Sequence, residues 1–507
     1  MFRCLPVPCI QLFGALVMFV ATSPHASAQN DASFNLQTMS ANQYEASTYT
    51  ADLNGDGVPD LITTYSRVNP VLFSVHIATG DGTFSPPTDY NSPINQQNGN
   101  VVVTGDVNND GKFDVVAMLG ADLFVYFRRG DGTFPTPVHS TLPGAVRFAA
   151  VADFNHDGNP DLALYFGDSN SVAVAYGDGK GGFSIVKTIV SFGVNQSVES
   201  MALGDFDADA NADIAISVAN APCDQGGCAS VDVHILYGSG SPSFTDKLSY
   251  AGLPSDLLFS SGDLNQDGRT DLIGFVTRES KNILVLYGHS TRRLSARHLK
   301  SNGPTFNWAF FVDPIADFNG DGRNDFAVEV VNTANQQAFD LFLRNADGTF
   351  TLQEIVFGQN SFEMGNLAIG DFNRDTKPDF LLPAKNDGGG DPATHLYSYL
   401  NTTDAQKFSA CPYPNSAAGI RTCLHQSGAH GSIIKIDAAA AWFEPLRKVE
   451  LWIDGVKVKE QYNVWDKYGW LHYSHKYAAG THRADVYSAG YDNALQHATV
   501  SFSVRTE

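Results

Sequence analysis

The chain has 507 residues, 43% of them apolar, 11% aromatic and 17% charged, which is enough for more than one domain and too apolar for disorder. Its formal net charge is −22. A surface of that sign repels phosphate backbones and excludes a nucleic-acid partner.

At the start, Arg3 precedes an apolar run from about Ile10 to Ala21, and Ala26-Ser27-Ala28 supplies a small-x-small cleavage pattern. Residues 1–28 therefore read as a secretory signal removed near Ala28. The run is short for a bilayer and no other stretch approaches ~18 apolar residues, so no transmembrane anchor is expected. The mature chain is expected to be secreted, periplasmic or at the cell surface.

Between residues 29 and 408 one acidic nonapeptide, D-x-[N/D]-x-D-G-x-x-D, recurs seven times at intervals of 47 to 58 residues. Side-chain oxygens stand at its first, third, fifth and ninth positions. They belong to Asp52, Asn54, Asp56 and Asp60; then Asp106, Asn108, Asp110 and Asp114; then Asp153, Asn155, Asp157 and Asp161. The fourth and fifth copies supply Asp205, Asp207, Asp209 and Asp213, and Asp263, Asn265, Asp267 and Asp271. The last two supply Asp317, Asn319, Asp321 and Asp325, and Asp371, Asn373, Asp375 and Asp379. Glycine at position six permits the left-handed bend that turns these oxygens inward. Converging carboxylates repel one another unless a cation lies among them, and hard oxygen donors in this number suit calcium. The fourth copy has Ala210 at position six and the seventh has Thr376; these two are expected to be the weakest sites.

The second repeat shows the unit. Val101–Val103 reads as a strand, then comes the acidic loop, then strands at Val115–Met118 and Leu123–Phe127. The turn Gly130-Asp131-Gly132-Thr133-Phe134 leads to a weaker, Pro-interrupted strand, as suits an outer edge. Repeats of about this length built from strands predict an all-β, seven-bladed β-propeller, one four-stranded blade per copy. Phe34–Met39 precedes the first inner strand as outer strands precede the others. It is expected to pair into the seventh blade.

An EF-hand would need Glu at position twelve, where the chain has Thr63, Ala117, Leu164, Ile216, Gly274, Val328 and Leu382. An apolar residue directly follows each ninth-position Asp, so the loop feeds a strand. This pattern resembles the FG-GAP/VCBS repeat family, the calcium-loop propeller blades also found in integrin α chains. The resemblance covers about residues 31–408. It implies adhesion or contact with an extracellular protein or carbohydrate through the propeller face.

Cys4 and Cys9 lie in the signal. Cys223 and Cys228 flank a short loop, and Cys411 and Cys423 lie close together; two local disulfides are expected in an oxidising compartment. The acidity stops with the repeats, since from Cys411 onward ten Lys/Arg balance nine Asp/Glu. Residues 411–507 hold short alternating strands and the hairpin signal Asp454-Gly455, which predict an Ig-like β-sandwich. Val449–Val456 and Ala479–His482 resemble bacterial Ig-like domains. Trp465, Tyr468 and Trp470 lie in one aromatic-rich segment and are either a sugar-stacking site or core packing.

There is no nucleophile elbow, H-E-x-x-H or phosphate-cradling loop. Half of the Asp residues, 22 of 44, belong to the acidic loops. The expected role is therefore a non-catalytic binding or adhesion module; the alternative is an extracellular polysaccharide lyase or hydrolase on the same scaffold.

Overall fold

Runs rich in Val, Ile, Phe and Tyr, bounded by Gly, Asn and Asp, favour pleated strands over helices. In a computed structural model of the chain every described element is a β-strand. The described residues are 32–403 and 421–504, apart from segments 41–44, 57, 66–70, 95–99, 131, 184, 221–229, 242, 254–256, 277–282, 302–311, 322, 332–336, 359–361, 365–366, 376, 387–393, 431–432, 442–445, 465–467, 478–479 and 491–494. The proposed signal and its cleavage pattern lie outside them.

Six four-stranded antiparallel sheets follow one another over residues 45–91, 100–141, 146–191, 197–253, 257–299 and 312–358. The second contains Asn100–Gly105, Asp114–Leu119, Asp122–Tyr126 and Val138–Thr141, close to the pattern expected of that repeat. A seventh sheet uses Phe362–Met364, Ala368–Gly370, Asp379–Asn386 and Thr394–Asn401. Its outer strand comes from the other end of the chain: Phe34–Ser40 pairs antiparallel with Thr394–Asn401, from Phe34 opposite Asn401 to Ser40 opposite His395. The expected fastening of the chain's start to the seventh repeat is thus present. The Ser33 carbonyl also accepts from Thr402 N–H at 2.7 Å.

Each acidic loop leads into a strand that begins at its ninth-position Asp, the second strand of the first six sheets and the one after Ala368–Gly370 in the seventh. The next two residues point in opposite directions, as a strand requires. Val115 packs with Ile62 of the first sheet, while Val116 packs with Leu162 of the third. Ala163 and Ile214 join the third and fourth sheets, and Ala215 and Leu272 the fourth and fifth. Ile273 and Phe326 join the fifth and sixth, and Ala327 and Phe380 the sixth and seventh. The last cluster packs Leu381 and Phe372 of the seventh sheet against Leu61 and Phe84 of the first. Both faces of these strands are buried, which is why they read as unbroken apolar runs.

Residues 421–504 form a three-stranded sheet (Arg421–His430, Ile433–Ala441, Tyr468–Lys476) and a four-stranded one (Val456–Val464, Leu446–Ile453, Gly480–Gly490, Leu495–Val504). Asp454 and Gly455 have φ of 50° and 78° between paired Ile453 and Val456. That is the two-residue hairpin expected from the sequence.

Candidate metal centre

The acidic loop is built by its own side chains capping its own backbone. In the second loop the Asp110 N–H donates both to Asp106 Oδ1 (3.0 Å) and to Asn108 Oδ1 (2.9 Å). First- and third-position oxygens meet in the same way on the N–H of Asp157, Asp321 and Asp375. Fifth-position carboxylates accept from the N–H two residues on: Val58, Lys112, Asn159, Asn211, Arg269, Arg323 and Lys377, at 2.8–3.1 Å. These are successive Asx turns, and they draw short polar side chains over a tight bend.

The bend is left-handed at two places. Position six has φ of 81°, 87°, 67° and 82° at Gly111, Gly158, Ala210 and Gly268, so the fourth copy adopts the bend despite its alanine. Gly57, Gly322 and Thr376 lie outside the described residues. Position four is left-handed in all seven loops, at Gly55, Asn109, His156, Ala208, Gln266, Gly320 and Arg374. Only two of these are glycines, so composition alone did not reveal it. Position two carried a signal left unused: Leu53, Val107, Phe154, Phe206, Leu264, Phe318 and Phe372 are all buried beneath their loops.

The ninth Asp is buried in every loop, and backbone donors meet its carboxylate from two directions. In the third sheet Phe154 N–H, at the loop's start, donates to Asp161 Oδ2 (2.9 Å), and Gly177 N–H, after the third strand, donates to Oδ1 (2.8 Å). The same pair of bonds falls on Asp60, Asp213, Asp271, Asp325 and Asp379. Burial pushes Asp60, Asp114 and Asp161 up to about 7 against the pull of these donors. It raises Asp213, Asp271, Asp325 and Asp379 well above the usual carboxylate range. Each carboxylate oxygen has two lone pairs, so a backbone N–H does not exclude a cation.

The donors fit a hard cation. The fold brings oxygens of the first and third ligand positions together, and three buried loop oxygens, Asp114 Oδ2, Asp207 Oδ1 and Asn265 Oδ1, have no hydrogen-bond partner among the described residues. In the fourth loop, where the third position is also a carboxylate, Asp205, Asp207 and Asp209 each place one ligand atom within 4.8 Å of the others. Basic side chains already stand by most fifth positions: Lys112 on Asp110 (2.9 Å), Lys377 on Asp375 (3.0 Å), Arg374 on Asp56 (3.3 Å), Arg269 on Asp267 and Arg323 on Asp321. In the third loop the Asn155 amide takes that place (3.0 Å from Asp157 Oδ2).

Cys223, Cys228, Cys411 and Trp465 lie outside the described residues. Cys423, Tyr468 and Trp470 lie in strands whose side chains at those positions are likewise outside them.

The FG-GAP-like repeat matches residues 52–117 and 317–382, each stretch running from one acidic loop through the next. No curated protein matches the chain. Among solved structures, an Agrocybe aegerita lectin described for recognition of non-reducing terminal N-acetylglucosamine is 16% identical, with 73% of this chain and 96% of the lectin covered and a TM-score of 0.48. A Lactobacillus plantarum protein is 15% identical (64% and 91% covered, TM-score 0.38). An exo-β-1,3-galactanase from Phanerochaete chrysosporium is 10% identical (92% and 100% covered, TM-score 0.33). Likenesses this distant transfer no ligand or reaction. On the loops and the repeat match together, the chain carries FG-GAP-like repeats.

Proposed function

We propose that residues 29–408 form a seven-bladed propeller with calcium in its acidic loops, followed by an Ig-like sandwich over 411–507. The protein acts outside the cytoplasm as a non-catalytic binding module for a protein or carbohydrate partner. The observation that carries the calcium reading is the repeated meeting of first- and third-position oxygens on one backbone N–H. Seven sheets with seven apolar clusters between neighbours, the last returning to the first, support the blade count. Ala26-Ser27-Ala28 after an apolar run supports export. Loop carboxylates tied into backbone bonds favour a scaffold role over acid–base work. The test sets glycan, cell-wall and extracellular-protein pull-downs against a polysaccharide turnover screen, each with calcium and with EGTA. Calcium-dependent capture without turnover is expected; turnover abolished by a substitution outside the loops would replace the binding reading with the enzymatic one.

A further inference from the structure

The fourth loop combines three features that no other loop combines among the described residues. Its third position is a carboxylate, Asp207, where the others have the neutral amides Asn54, Asn108, Asn155, Asn265, Asn319 and Asn373. Its basic partner comes from another sheet. That partner also reaches two ligand positions together: Arg292 Nε lies 2.6 Å from Asp207 Oδ2 and Arg292 Nη2 3.2 Å from Asp209 Oδ2. In the second, fifth, sixth and seventh loops the cation belongs to the loop itself and stands on the fifth position. Arg374 crosses from the seventh loop to the first, where it too stands on the fifth position.

Arg292 is held where it is. It sits at φ 56° in the turn of the fifth sheet, its N–H donates to the His289 carbonyl (2.9 Å), and Lys247 Nζ donates to its own carbonyl. Its guanidinium lies over the Tyr237 ring, 4.8 Å from the centroid. The fifth-sheet turn reads Gly288-His289-Ser290-Thr291-Arg292, whereas the second-sheet turn reads Gly130-Asp131-Gly132-Thr133-Phe134. Loop and turn therefore depart from the repeat together, one adding a negative charge and the other a positive one. Thr270 of the fifth sheet adds a second tie, its N–H donating to the Asp205 carbonyl (2.8 Å) and its Oγ1 accepting from Asp205 N–H (2.9 Å). A guanidinium against two carboxylates, one of them with a side chain only 5% exposed, is a geometry that arginine satisfies better than lysine.

We propose that the fourth loop takes no metal ion, because Arg292 supplies its cation from within the chain and clamps the fifth sheet onto the fourth. This deepens the calcium reading of the loops and rests on it for the remaining six. The chain then binds one calcium ion fewer than its count of acidic loops.

The experiment counts calcium by equilibrium dialysis on the mature full chain and on Arg292→Gln. Arg292→Gln is expected to bind one ion more than the unaltered chain, since Asp207 Oδ1, buried and without a hydrogen-bond partner among the described residues, joins Oδ2 as an available ligand. Terbium provides a local readout. Its tyrosine-sensitised emission should rise in Arg292→Gln, and the rise should vanish when Tyr237→Phe is added. An unchanged calcium count in a cooperatively melting Arg292→Gln chain overturns the proposal. Asp209→Ala in the otherwise unaltered chain gives an independent check: an unchanged count is expected, and loss of one ion overturns it. Should the unaltered chain bind no calcium, the reading of the other loops fails. A gained ion in Arg292→Gln would still uphold the internal cation, and no gain would overturn it.

Discussion

Asp161 illustrates what a single side chain does in this fold. It lies at the end of one loop and receives an N–H from that loop's start and another from beyond the third strand, so one carboxylate ties three segments of the sheet. Asp161→Ala leaves two buried donors without acceptors and should cost about 2–5 kcal/mol in urea unfolding. Asp161→Asn keeps one acceptor oxygen and should lose roughly half as much; equal losses would show that the two bonds do not act separately. Ala210 makes a prediction of the opposite sign. It holds a left-handed φ of 67° at a position where glycine has no Cβ to crowd the carbonyl. Ala210→Gly should therefore stabilise the chain by about 1 kcal/mol, and a lower melting temperature would contradict this. The sequence pointed to position six because glycine is visible there. Position four was not legible, because Asn, His, Gln and Arg hold the same backbone geometry only where the surrounding Asx turns impose it.

At the scale of elements, the second strands were readable because burial on both faces leaves no polar alternation to confuse them with a half-exposed strand. The outer strands were weaker signals, with Val138–Thr141 fully exposed. The pairing of Phe34–Ser40 with Thr394–Asn401 joins segments more than 350 residues apart and was inferable only from the order of strands within each repeat. Deleting residues 31–40 removes an entire ladder and exposes the edge of Thr394–Asn401. A net loss of a few kcal/mol corresponds to a fall of about 10 °C; an unchanged thermal melt would show that the seventh sheet is closed without it.

For the whole molecule, charge and ion are linked. Seven loops hold 22 of the 54 acidic residues of a chain with net charge −22, and a cation in each loop would offset their repulsion. With a dissociation constant of roughly 0.1 mM and free calcium near ~2 mM, each filled site adds about 1.8 kcal/mol. EGTA should therefore lower the melting temperature by 10 °C or more, with calcium restoring it better than magnesium; no shift would defeat the calcium reading. The pH trend of the chelated protein follows from burial. The folded state holds Asp60, Asp114 and Asp161 at about 7, above an unfolded value near ~3.9. Their contribution is present in acid and is lost as pH rises through 7, so the chelated chain should melt lower at pH 8 than at pH 5. Calcium, which competes with protons for the same oxygens, should flatten that slope.

By itself the sequence determined the repeat, its strand-loop-strand unit and the oxygen-donor chemistry of its loops, because these are set by residues within nine positions of one another. Tertiary structure alone decided which side chain from a neighbouring sheet enters a given loop. Arg374 reaches Asp56 from the seventh repeat and Arg292 reaches Asp207 from the fifth. Both contacts depend on how successive sheets twist and stack, which no local spacing encodes.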